Sequence, residues 1–120
     1  MAELNIQGTS RTFEEKLAAL DADKKAAFEQ IQAALLAKKG VKERVSKKYL
    51  TFNRGREQIA RISIISTSLR VHLAVDLDEY KEQTWMKDYS GKVAYERVPG
   101  MVRVSSPLAV RRILAIIEKL

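Results

Sequence analysis

Lys47, Lys48, Arg54, Arg56 and Arg61 crowd one short stretch of the chain, with Tyr49 and Phe52 set among them. Ammonium and guanidinium groups at this density contact phosphates, and an exposed aromatic ring between them can stack on an unpaired base. The charge is local. Between Lys38 and Arg61 stand nine basic and two acidic residues, which carry the whole formal excess of +7, while the basic and acidic residues elsewhere cancel. Such an asymmetry makes a positive potential that recruits polyanions, DNA or RNA foremost, or an acidic protein surface. Tyr49 and Phe52 have opposite strand parity, so at least one of them belongs in the core.

Catalytic chemistry is harder to assemble. Glu79-Tyr80-Lys81 has the glutamate-x-lysine form used by metal-dependent nucleases, and Asp76 and Asp78 precede it as magnesium ligands would. Such a centre needs carboxylates on adjacent strands, and the preceding segment, Gln58 to Ile65, has none, so the acidic run reads as a solvated turn. His72 is the single histidine, which excludes an all-histidine metal site, and no neighbouring motif gives a serine nucleophile its geometry. The cysteine count is zero and the five glycines are dispersed, without Walker or dinucleotide spacing. The expectation is a non-enzyme without metal or cofactor: a binding module for nucleic-acid phosphates. The alternative is a protein-interaction module or homodimer using Trp85, Met86 and an unpaired sheet edge, with the metal nuclease a distant third.

The elements that must position these residues follow from periodicity. Ala2, Leu4 and Ile6 alternate with polar residues before a break at Gly8 to Ser10, and residues 1–11 read as a flexible tail rather than an edge strand. Thr12 and Glu15 have capping-box spacing ahead of a short helix over 13–20, and Asp21 or Asp23 caps a second helix reaching Lys39, with Gly40 as its stop. From Val45 the period becomes strand-like. Strands are expected over 47–52 and 58–65, joined by a basic turn at 53–56, then over 69–75. Residues 76–92 read as a long connection with a helical turn. Strand material is expected again over 95–98 and 101–104, before Ser105 or Ser106 caps a final helix with Pro107 at its first position. Ala109, Ile113, Ile116, Ile117 and Leu120 share one face of that helix, while Arg111 and Arg112 lie early in it, where its dipole disfavours cations.

From Gly40 onward the order of features resembles a bacterial family of small domains of unknown function, found alone or appended to larger, sometimes restriction-type, proteins. The features are Lys48-Tyr49 with Phe52, Leu73-Ala74-Val75-Asp76, Asp88-Tyr89-Ser90, and Val102-Arg103-Val104-Ser105-Ser106, which together cover about two thirds of the chain. The resemblance implies an antiparallel sheet with helices on one face and implies no catalytic residue. Periodicity leads independently to the same class: one α+β domain over 1–120, with an antiparallel sheet of four to five strands and the N-terminal and C-terminal helices packed on one face. The first eleven residues lack the basic start and apolar run of a signal peptide, and no stretch approaches the roughly 20 apolar residues that span a bilayer. With no cysteine, the expected setting is cytoplasmic, with no membrane partner.

Overall fold

The computed structural model describes residues 11–120, so the expected tail lies almost wholly outside the described residues. Helix α1 (Phe13–Ala18) opens on the anticipated capping box: the Glu15 amide donates to Thr12 Oγ1 and the Thr12 amide to Glu15 Oε1. Asp21 then accepts from the Lys24 amide at 2.9 Å and starts α2 (Ala22–Leu36). This helix stops three residues before Lys39, because Lys38 to Gly40 make the reversal. The Val41 amide donates to the Lys38 carbonyl, and Gly40 takes a φ of +79° that a side chain would disfavour.

The reversal leads straight into a strand that the periodicity did not reveal, β1 (Val41–Val45). Only Val41 of its five residues is buried, so no alternation of apolar residues marks it. β2 (Leu50–Arg54), β3 (Glu57–Ile65) and β4 (Ser68–Leu73) follow as a meander, turning at Gly55-Arg56 and Ser66-Thr67. The expected strand from Lys47 thus begins at Leu50, with Lys47 and Lys48 in the turn after β1. A bulge shifts the β2–β3 register between Phe52 and Asn53, so that Ala60 opposes Phe52 and Gln58 opposes Asn53.

The long connection over 74–99 contains a 3₁₀ turn (Leu77–Tyr80), a two-residue strand β5 (Lys87–Asp88) and a second 3₁₀ turn (Val93–Tyr95). The strand expected over 95–98 is therefore absent. Its amides bond locally instead, Tyr95 to the Lys92 carbonyl and Val98 to the Tyr95 carbonyl, a pattern that turns the chain and lays the Tyr95 ring against the sheet. β6 (Gly100–Arg103) and α3 (Pro107–Lys119) complete the fold. Ser106 accepts from the Ala109 amide at the head of α3, with Pro107 in the first turn.

The six strands of the described residues are all antiparallel, in the order β1-β2-β3-β4-β6-β5. The class is the α+β arrangement expected, with one strand more than the upper count. Phe52, Ile62, Leu69, Val71 and Leu73 on the sheet, Ile31 and Leu35 on α2, and Ile113 on α3 form the fully buried core. Each such side chain contributes about 1.5–3 kcal/mol of burial, and all of them lie on one side of the sheet. Residues of opposite parity therefore point to the other side.

Candidate nucleic-acid interface

Directly paired residues on an antiparallel sheet share a face, so the register traces what stands opposite the helices. Arg44 pairs with Thr51, Thr51 with Arg61, Arg61 with His72, His72 with Met101 and Met101 with Lys87. This single row crosses all six strands. A parallel row runs Ser63, Arg70, Arg103, and Lys42 pairs with Asn53 on the same face. Among the described residues, no strand position on this face is acidic. Arg70 and Arg103 stand directly opposite each other, an arrangement of like charges that costs stability unless an anion lies against it.

The centre of the face is roofed by the connection. The Tyr95 ring stacks on His72 with centroids 4.4 Å apart, and Tyr89 meets the same imidazole edge-on at 5.2 Å. Val98 and Met101 are buried here, apart from the core beneath the helices. Arg61 lies between the rings of Tyr49 and Tyr95, donating from Nη1 to the Ala94 carbonyl at 2.8 Å and from Nη2 to Gln58 Oε1 at 3.3 Å. Arg70 donates to Tyr89 Oη and Ser68 Oγ. Both arginines thus direct these bonds to neutral oxygens.

His72 is only 1% exposed, and burial, then the Arg61 and Arg70 guanidinium groups, push its pKa down to about 4. It is a neutral imidazole at physiological pH, its Nε2 at 3.4 Å from Ser63 Oγ and its Nδ1 without a protein partner among the described residues. Burial and the Tyr49 hydroxyl raise the pKa of Tyr95, which stays protonated. The neutral imidazole packs against the rings of Tyr89 and Tyr95 beneath the connection.

At the β5–β6 side, the sheet face runs into a cleft of about 520 Å³ whose wall includes Arg70, Lys87, Arg103 and Arg112. A second, more apolar cleft of about 750 Å³ lies between the starts of α2 and α3.

The residues singled out from sequence alone occupy several places. Lys47 and Lys48 are exposed in the β1–β2 turn, where the Lys47 carbonyl accepts from the Phe13 amide. Arg54 and Arg56 sit at the far end of β2, whose five residues span about 13 Å at the usual rise per strand residue, with the Arg56 carbonyl accepting from Arg97 Nη1. The basic hairpin therefore does not present these four side chains together. Arg61 alone lies within the sheet-face row. Of Trp85 and Met86, Met86 is 8% exposed and packs into the core, while Trp85 is half-buried beneath Arg112 and beside Tyr80. The outer edge of β1 carries exposed Lys42, Glu43 and Arg44, charges that discourage strand addition. Asp76 caps the Leu77–Tyr80 turn by accepting from the Asp78 amide, and among the described residues no three His, Cys, Asp or Glu side chains gather as metal ligands.

Sequence reasoning passed over Lys42, Arg44, Arg70, Lys87 and Arg103. Arg70 and His72 had a usable signal, their strict alternation with Leu69, Val71 and Leu73. Lys87 and Arg103 had none, because which strands flank β4 is a property of the topology.

Comparison with protein-family models, with curated proteins and with solved structures returns no match, and the functional reading stands on this chain's own residues.

Proposed function

We propose that the chain is a non-catalytic module that binds nucleic-acid phosphates on the sheet face opposite its helices. The observation that carries this reading is the register itself, which gathers Lys42, Arg44, Arg61, Arg70, Lys87 and Arg103 on one face free of strand carboxylates among the described residues. An antiparallel sheet with basic and aromatic side chains on the side away from its helices, exposed around the tyrosine roof, is suited to an extended single strand, whose phosphates follow the cations. Arg61 acts from below, holding Tyr49 and Tyr95 in place, while the exposed Lys42, Arg44, Lys87 and Arg103 make the contacts. Contacts of this kind give affinity with little sequence preference.

Phosphate binding by several cations must weaken as salt rises. For four single-strand phosphates the logarithmic slope is about −3, so affinity falls about 50-fold between about 50 and about 200 mM salt. Fluorescence anisotropy with a labelled single-stranded oligonucleotide measures this. Lys42→Ala/Arg44→Ala should lower the affinity and make the slope shallower by about 0.7 for each phosphate that is no longer neutralised. Absence of binding at low salt, or a slope unchanged in that variant, defeats the proposal.

A further inference from the structure

We infer that the cleft beside β6 is a receptor for a terminal phosphate, the phosphomonoester at the end of a nucleic-acid strand. The inference rests on the proposed sheet-face function and adds to it where the strand ends. Four cations reach the cleft from four different elements: Arg70 from β4, Lys87 from β5, Arg103 from β6 and Arg112 from α3. The carboxylate in the wall, that of Asp88, is turned to its own loop, where it accepts from the Ser90 amide at 2.8 Å and the Ser90 hydroxyl at 2.6 Å. Those bonds hold Asp88 ionised, and the cleft still keeps a net excess of three positive charges.

That excess suits a dianion. An internal phosphodiester carries one negative charge, whereas a terminal phosphate carries nearly two at pH 7 and offers three acceptor oxygens. The arginines are laid out for such a group. Arg70 and Arg103 are directly paired across β4 and β6, so their guanidinium groups have no cross-strand partner of opposite charge, and a shared anion would relieve their repulsion. The head of α3, with Ser105 and Ser106 in the wall, adds its positive dipole end to the same space.

Size points the same way. A half-open cleft of about 520 Å³ has room for a terminal nucleotide. Tyr89 lines the cleft and also touches His72 under the roof, so the cleft is continuous with the sheet face. It opens where β5 ends: β5 pairs only with Met101 and Gly100, and among the described residues no strand lies outside Val102 and Arg103. A strand lying along the cations of the sheet would reach its end here.

The test compares one short DNA strand in three forms, 5′-phosphorylated, 3′-phosphorylated and with hydroxyl ends, by anisotropy at fixed salt. One phosphorylated form should bind roughly tenfold tighter than the hydroxyl form, as one additional charge-assisted contact provides. Arg103→Ala and Lys87→Ala, both at exposed positions, should bring that ratio close to one. Lys42→Ala/Arg44→Ala should weaken all three forms alike and leave the ratio intact. Equal binding of the three forms by the wild-type chain overturns the receptor and leaves the sheet-face reading standing. If no form binds, the sheet-face reading falls, and amide NMR with adenosine 5′-monophosphate decides the cleft: shifts at Arg103 and Ser106 sustain it, and their absence overturns it.

Discussion

Acidification from pH 7 to about pH 4 is expected to remove about 3 kcal/mol of folding stability through His72 alone. The folded chain holds this imidazole neutral, with a pKa of about 4 against an ordinary 6.5, because it is buried beneath Tyr89 and Tyr95 and faces Arg61 on β3 and Arg70 on its own strand. In the unfolded chain the same group takes up a proton near pH 6.5. The unfolded state therefore binds more protons throughout the interval between the two values, and stability must rise with pH there. It is fully present above about pH 6.5, begins to fall below that, and has lost most of the difference at about pH 4, at about 1.36 kcal/mol per unit. Against a usual total of about 5–15 kcal/mol this is a large share. Urea denaturation of the wild type and of His72→Gln at a series of pH values measures it. The variant should show a much flatter profile over this interval, and a profile as steep as the wild type's would place the proton uptake elsewhere.

Gly100→Val is expected to cost about 3 kcal/mol or more, and Gly100→Ala about 1–3 kcal/mol. A Cβ built on Gly100 would stand 2.5 Å from Val75 Cγ2 and 2.9 Å from Met86 Sδ. The methionine can bend away, since its side chain has three rotatable bonds. Val75 cannot do so cheaply, because a β-branched side chain has few χ1 alternatives. The glycine is thus where the long connection lies directly on β6, and a methyl group would wedge the two apart. Gly55→Ala is the contrasting case, with nothing within 4 Å of the added atom and only the backbone strain of its φ of +62° to overcome, about 1–2 kcal/mol. Chemical denaturation midpoints should rank the three substitutions in that order. A Gly100→Ala chain as stable as the wild type would show that Val75 and Met86 do not press on this glycine.

How legible all this was depended on which force specified each part. The caps at Thr12, Asp21 and Ser106 satisfy local hydrogen bonds, and local spacing revealed them, Asp21 as one of a pair with Asp23 and Ser106 as one of a pair with Ser105. The core faces of β4 and α3 were equally readable, since burial imposes a period of two on Leu69, Val71 and Leu73 and a helical period on Ile113, Ile116 and Ile117. β1 was hidden because an edge strand with one buried residue carries no such pattern. Tyr95 misled for a different reason: its β-forming character suggested a strand, while in the fold its ring is worth more stacked on His72. The concentration of charge over 38–61 was real, but linear proximity was a poor guide to its placement. Lys48 and Arg54 are six residues apart at opposite ends of β2, whereas Arg70 and Arg103 are distant in sequence and directly paired.

The connection over 74–99 also sets the order in which the structure can be made and unmade. β2, β3 and β4 are joined by two-residue turns and close their pairings at little entropic cost, whereas β6 reaches β4 only after the whole connection has been looped back. The meander with α1 and α2 therefore makes one early unit, and the tyrosine roof, β5, β6 and the α3 that follows them make a later one. Local release of the tyrosine roof alone would uncover Arg61 and His72, whereas release of β6 would also withdraw Val102 from the core beneath the helices. Arg61 and the neutral His72 thus lie under a roof held by side-chain stacking and local turns rather than by sheet pairing of its own.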